Sequence, residues 1–514
     1  MRTGRNGVTN GFIAAAIATC LLAASPAADD YTPDGLRAAA EETLSHYAAA
    51  DVDLPLDVKA EFLEWELWRY HRAPHGQVYN RARLPERVGE RPDHLPGSDT
   101  STWNGALLAA LSYKYAATKD PETLRRIAEL VGGLHLFFHV TGQPGLPARS
   151  VTLDERLRQE GMRTGASPEG RPLFYRGDPA KGTVNQLAGG YAALMMHADP
   201  DLPADIRRLA HDDLTDMVLH LIEHDYRLTE RDGTPTTYGD LTPLAGSVGV
   251  PFNAQVAYQI VALGETFPPG DVARRRKIHE AFRQLREKHH VYYEAPLRSL
   301  IHPQRVAASP FLKGMNDRNH VTNAAFVGLA LELFAARRDG READRDFLYQ
   351  LGQTMCYSLG RMGSERNALC NFMWAALLRD PAAFDCMIRE DRRDALAIEE
   401  RAMRDGVEQL RRYGLDRFDY PGREVESAEP LWVDQRRSDD YQWKADPRRG
   451  WQVTGPATNN VRCAIDFLYA YWLLRYYRLD EHPALDERAA AVLRRTPRLR
   501  LSPPAERAFL NAAE

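Results

Sequence analysis

The feature that most constrains this chain is a unit it uses six times: a polar loop, an asparagine, then a helix-length run that is apolar on nearly every side. The runs open at Thr102-Trp103-Asn104-Gly105, Thr183-Val184-Asn185-Gln186, Pro251-Phe252-Asn253-Ala254, Thr322-Asn323, Ser364-Glu365-Arg366-Asn367 and Thr458-Asn459-Asn460-Val461. They close at Asp120-Pro121, Asp199-Pro200, Pro268-Pro269-Gly270, Asp339-Gly340, Asp380-Pro381 and Tyr477. A helix without a polar stripe must be buried all round. A short side-chain oxygen at its start satisfies a free backbone N–H, so Thr322 or Asn323 is predicted to cap the run Ala324 to Ala336.

Between these runs lie segments of another kind, Glu122 to Val140, Ala204 to Tyr226, Val272 to His290, Arg341 to Arg361 and Phe384 to Arg412. Each carries one apolar stripe at three- and four-residue spacing among many charges, as solvent-facing helices do. The pair Leu36 to Ala50 and Val58 to Arg72, or the tail segment Asp486 to Arg495, supplies the last outer member. Strand signals are sparse and confined to loops. The predicted class is all-α, and the alternation predicts an (α/α)6 toroid with six inner and roughly six outer helices.

An α-solenoid also stacks helix pairs, but the loops here are asymmetric. Inner-to-outer connections are tight, as at Lys119-Asp120-Pro121 and Arg338-Asp339-Gly340. Outer-to-inner connections are long: Thr141 to Gly182, Arg227 to Val250, Val291 to Arg318, and Tyr413 to Ala457. In a toroid all of these emerge on the rim where the inner helices begin, and loops of such length are usually functional.

Arg2 and Arg5, the apolar stretch Phe12 to Ala24 and Ser25-Pro26-Ala27 have the order of a secretory signal. Residues 1–27 are therefore expected to be removed, leaving 28–514 as one periplasmic or secreted domain. No later run is apolar enough to span a bilayer, so no membrane contact is expected beyond the leader. A net charge of −5 gives no basic face for nucleic acid. Cys356, Cys370, Cys386 and Cys463 form no C-x-x-C pair, so neither zinc nor redox chemistry is expected, nor any cofactor.

The rim residues define the expected chemistry. Arginines (Arg149, Arg176, Arg318, Arg366, Arg462) and carboxylates (Asp99, Asp178, Asp240, Asp317, Glu365, Asp434) are interspersed with Trp103, Tyr175, Tyr238, Trp432, Trp443 and Trp451. Aromatic faces pack on the C–H face of a sugar ring, polar groups bond its hydroxyls, and the Arg fork suits carboxylate or sulfate. The plainer readings are Asn as cap, Asp317-Arg318 and Glu365-Arg366 as loop ion pairs, and Trp as a lid on the core.

Two other motifs are set aside. Asp212-Asp213-Leu214-Thr215-Asp216 spells a magnesium–diphosphate signature, but on an amphipathic outer helix it reads as a solvated face. His135 and His139 stand one turn apart with no third ligand evident, which favours packing over metal.

Phe174-Tyr175-Arg176-Gly177-Asp178, Asn319-His320, Glu365-Arg366-Asn367 through Trp374, and Ile465-Asp466-Phe467-Leu468 through Tyr477 resemble secreted bacterial proteins of the six-hairpin (α/α)6-toroid type. That type includes six-hairpin glycosidases and the helical domains of polysaccharide lyases. The chain departs from the expected pattern where Val321-Thr322-Asn323 follows Asn319-His320, and where Lys181-Gly182-Thr183 follows Asp178 without a second acid.

The expectation is an exported glycoside hydrolase acting on an oligosaccharide or polysaccharide that can carry acidic groups. Asp317 or Glu365 would be the acid and Asp178 or Asp240 the base. Arg318, Arg366, Asn323 and His320 would orient the sugar, with Trp103 or Tyr238 stacked on it. A polysaccharide lyase would instead use Tyr238 or His320 to abstract a proton beside a uronate. A glycan-binding or scaffolding protein without turnover is the alternative from another class.

Overall fold

The computed structural model describes residues 30–168, 170–242, 251–293, 316–338, 345–363, 365–379, 389–437, 441–444 and 446–494. The fold is mainly helical, with a few short strands. Helix α1 (Pro33–His46) leads into α2 (Leu56–Glu66), which continues as a π-turn over Leu67–His71. Strands β1 (Arg81–Arg83) and β2 (Asp93–Leu95) precede α3 (Thr100–Thr118) and α4 (Pro121–Val140). Next come β3 (Ser150–Thr152), β4 (Arg163–Ala166) and β5 (Pro172–Arg176), then α5 (Lys181–His197) and α6 (Ala204–Glu223). The hairpin β6 (Arg227–Thr229) and β7 (Pro235–Asp240) leads to α7 (Pro251–Thr266) and α8 (Val272–Tyr293).

Four helices follow: α9 (Asn316–Arg337), α10 (Arg345–Met362), α11 (Ala368–Leu378) and α12 (Arg389–Arg411). Strands β8 (Gly422–Glu426), β9 (Arg449–Val453) and β10 (Asn460–Arg462) come before α13 (Ile465–Tyr476) and α14 (Glu487–Leu493).

The tight turns follow local chemistry. Asp120 caps α4 by accepting the Thr123 N–H at 3.1 Å, with Pro121 at the first helical position. Lys119 just before it is left-handed, with φ 51°, and ends α3. Asn367 caps α11 through Cys370 N–H at 3.1 Å, and Asp486 caps α14.

The six apolar helices are neighbours in order. α3 packs on α5, α5 on α7, α7 on α9, α9 on α11, α11 on α13, and α13 back on α3. α5 also touches α9 directly. α3 and α5 approach at Gly105 and Gly190, where a Cβ on Gly105 would sit 2.8 Å from the Gln186 carbonyl oxygen. Only a hydrogen fits there. The charged helices lie against these: α4 on α3, α6 on α4 and α7, α8 on α7, α10 on α9 and α11, and α12 on α11. α2 packs on α13, and α14 rests on α2 and α12.

The strands form small antiparallel sheets in the orders β10-β1-β2, β3-β5-β4, β6-β7 and β8-β9. Each lies in a connection leading to an apolar helix, and hydrogen bonds tie these connections to the helix starts. Ser101 N–H donates to Arg149 O, Cys463 N–H to Asn80 O, and the Asn253 amide to Asp240 O.

Three expectations need correction. α9 begins at Asn316, so Thr322 and Asn323 lie inside it and neither caps it. The sixth run begins at Ile465, because Asn460–Arg462 is taken by strand pairing with Arg83–Arg81. Among the remaining asparagines only Asn367 is an N-cap. Asn104 sits a turn into α3, with its side chain bonded to Val78 N–H and O. No described helix is long and apolar enough to cross a membrane.

Candidate functional site

Of the expected site residues, three meet on the β6–β7 hairpin. Asp178 follows β5 in a left-handed conformation, φ 57°. Its N–H donates to Glu230 Oε1 at 2.7 Å, and its Oδ1 accepts the Thr237 N–H at 2.7 Å. Glu230 is itself buried and held by Arg163 at 2.9 Å. The carboxylate of Asp178 is thereby fixed beside the hairpin, just ahead of α5. Tyr238 follows Thr237 and is 55% exposed, an uncommon state for so large a ring. Asp240 ends the hairpin. Its Oδ1 accepts from Thr242 N–H and hydroxyl at 3.0 and 2.7 Å, and its backbone oxygen is bonded by Asn253 of α7.

Left-handed non-glycine residues elsewhere in the described chain cluster at helix C-termini, as at Ala48, Lys119, Asp225, Tyr226 and Arg478. Asp178 and Arg366 are different. Each stands just before an apolar helix. Strained backbone held in place by its surroundings is a reason to look for a site.

Glu365 and Arg366 belong to a second cluster, ahead of α11. Glu365 is buried, and Arg448 clasps its carboxylate through two nitrogens. Burial pushes the Glu365 carboxyl above its ordinary pKa, while Arg448 pulls the other way. That is the ion-pair reading, with the partner across the fold rather than next in sequence. The Arg366 guanidinium lies 3.9 Å over the Trp432 ring and donates to Pro430 O. The backbone oxygen of Arg366 accepts from Arg436 and Gln409 at 3.1 and 2.9 Å. Burial lowers the Arg436 pKa to about 9, with Glu365 opposing.

A third group lies at the starts of α3, α5, α11 and α13. Trp103 is buried and stacked on Tyr441, with ring centroids 4.7 Å apart and planes 11° apart. Trp443 is fully buried and donates to Asp466 O at 2.8 Å, while Asn367 donates to Trp443 O at 2.9 Å. The Thr102 hydroxyl reaches that of Thr183 at 3.2 Å. Contacts thus run from the first turn of α5 through α3 and α13 to α11. Trp103 and Trp443 act as lids, which leaves Tyr238 as the expected stacking residue with an accessible face.

Asp317, Arg318, His320 and Asn323 occupy the first two turns of α9, where only the backbone is described; their side chains lie outside the described residues. Of the remaining rim arginines, Arg149 pairs with Asp99 at 2.7 Å and Arg462 pairs with Asp419. Asp434 faces Arg412 at 3.2 Å.

One set-aside motif resolves differently from expectation. Asp213 is buried rather than solvated, bonded to His135 at 2.8 Å and to the Tyr191 hydroxyl at 3.0 Å. It ties α6 to α4 and α5. Among the described residues no group of three or more His, Cys, Asp or Glu could hold a metal ion. Cys370 is buried as a free thiol, and Cys386 lies outside the described residues.

Glu230, Thr237, Tyr441, Arg436 and Arg448 position the expected residues and were missed in the sequence. Their partners are far away along the chain, so no local pattern marks them. No family model, curated protein or solved structure matches this chain.

Proposed function

We propose that the six apolar helices form the inner ring of an (α/α)6 toroid of the six-hairpin type, and that the rim at their starting ends is a carbohydrate site. The neighbour order from α3 to α13 and back to α3 supports the ring. The observation that carries the site is the exposed Tyr238 ring on a hairpin that also holds Asp178 and Asp240. A flat apolar face flanked by fixed carboxylates suits a sugar, whose hydroxyls are bonded while its C–H face is packed.

The reading is an exported glycoside hydrolase, with the segment up to residue 27 as its leader. Hydrolysis needs one carboxyl to protonate the leaving oxygen and a second to activate water or attack the sugar. Glu365 is sealed by Arg448 and is a poor candidate for the acid. That role then falls to Asp317, which shares the first two turns of α9 with Arg318, His320 and Asn323. Asp178 has one oxygen bound by Thr237 and serves as base. Asp240 and Arg366 contribute to binding.

The sealing of Glu365 and the lack of an acid at Lys181-Gly182-Thr183 also favour a second reading, glycan binding without turnover. One assay separates the readings: purified protein incubated with neutral and uronate-containing oligosaccharides. A hydrolase yields new reducing ends without a near-ultraviolet chromophore. An unsaturated, absorbing product would mean a lyase, with Tyr238 or His320 as base. Saturable binding with no product would support the second reading, and neither binding nor product would defeat the carbohydrate assignment.

A further inference from the structure

Helix α2 widens into the π-turn Leu67–His71, and such single turns occur often at functional sites. Glu66 precedes that turn and His71 ends it, with Glu66 Oε1 3.8 Å from His71 Nε2, beyond direct hydrogen-bond reach. Arg417, from the segment between α12 and β8, acts electrostatically on both. The three side chains are sealed, at 1%, 0% and 5% exposure. Yet both carboxyl oxygens of Glu66, Nε2 of His71, and Nε and one terminal nitrogen of Arg417 have no hydrogen-bond partner in the protein. Folded proteins rarely leave polar atoms buried together in this way, because each unmet bond costs about 1–3 kcal/mol.

The donor and acceptor pattern selects the occupant. His71 Nδ1 lies 3.0 Å from the Tyr79 carbonyl oxygen, which can only accept, so Nδ1 carries the proton. Burial lowers the ring's pKa to about 3, so it is neutral and Nε2 offers a lone pair. Arg417 can only donate. Glu66, whose pKa burial raises to about 8, is a carboxylic acid at neutral pH and does both. An anion would suit Arg417 but meet the His71 lone pair, and a cation would meet the guanidinium. Water both donates and accepts.

We propose that Glu66, His71 and Arg417 enclose a site for bound water beneath the start of α13. Arg417 also acts on Asp466, which accepts from Gln442 N–H at 2.6 Å and the Tyr413 hydroxyl at 2.5 Å. The site is thus linked through Arg417 to Asp466, whose backbone oxygen accepts from the Trp443 ring N–H. Bridging water recovers most of the enthalpy of direct bonds at small entropic cost.

The test is a crystal structure of the full chain that orders internal solvent, with a parallel bromide soak. The proposal expects a water within hydrogen-bond distance of at least two of the three side chains, retained in Glu66→Gln and absent from Glu66→Met. Direct side-chain contact with nothing between would overturn it, as would bromide density at that position. Should Glu66→Met fail to fold, the wild-type and Glu66→Gln maps decide.

Discussion

Glu66 is the residue whose ionisation the whole fold should feel. Burial raises its pKa from 4.5 to about 8, with Arg417 opposing. The unfolded chain releases this proton near 4.5 and the folded chain keeps it to about 8. Between those values the folded state binds more protons, so stability falls as pH rises through the window and levels off above it. Glu66→Gln should remove this slope. Denaturant unfolding at a series of pH values is expected to show the variant equal to wild type at pH 4 and more stable at pH 9, by up to a few kcal/mol. A variant less stable at pH 9 would mean that Glu66 is ionised and paired in the native protein.

Glu365 makes the opposite prediction. Glu365→Ala leaves Arg448 without its buried carboxylate and should cost about 3–5 kcal/mol in urea unfolding. An unchanged midpoint would show that the pair adds nothing and reopen Glu365 as a reactive acid.

Among the elements, those with local causes were legible in the sequence. Asp120-Pro121, Asn367 and Asp486 announce helix starts through their own side chains, and the structure places starts there. The apolar runs were equally legible, since burial on every side leaves a composition no surface helix can carry. What could not be read depends on distant partners. Asn460–Arg462 looks like a helix opening until Arg81–Arg83 pairs with it. Asp213 looks solvated until His135 and Tyr191 arrive from other helices. Trp103 is a ligand platform or a lid according to whether Tyr441 covers it, and it does.

The contact between α3 and α5 gives a prediction of its own. Gly105→Ala would press a methyl against the Gln186 backbone, which cannot turn aside as a side chain could. Overpacking of this sort costs about 1–3 kcal/mol or more, despite the better helix propensity of alanine. Thermal unfolding of Gly105→Ala should show a lower midpoint than Gly132→Ala, since Gly132 has open space for a Cβ. Equal midpoints would mean that the two helices can separate at little cost.

At the scale of the molecule, the loops are organised around the helix starts. Short sheets precede α3, α5, α7 and α13, and the bonds from Arg149, Asn80 and Asp240 pin those loops to the apolar helices. The proposed function asks the apolar helices to supply rigidity and the β6–β7 hairpin to supply the surface a ligand meets. The most direct test of that claim is a glycan-binding screen of the wild type beside Asp178→Asn, Tyr238→Ala and Asp240→Asn, with unfolding curves to show that all four are folded. The wild type is expected to retain one class of glycan, neutral or uronate-containing, and each variant to bind it at least about tenfold more weakly, some 1.4 kcal/mol. Equal retention by the variants, or retention of nothing by the wild type, would contradict it.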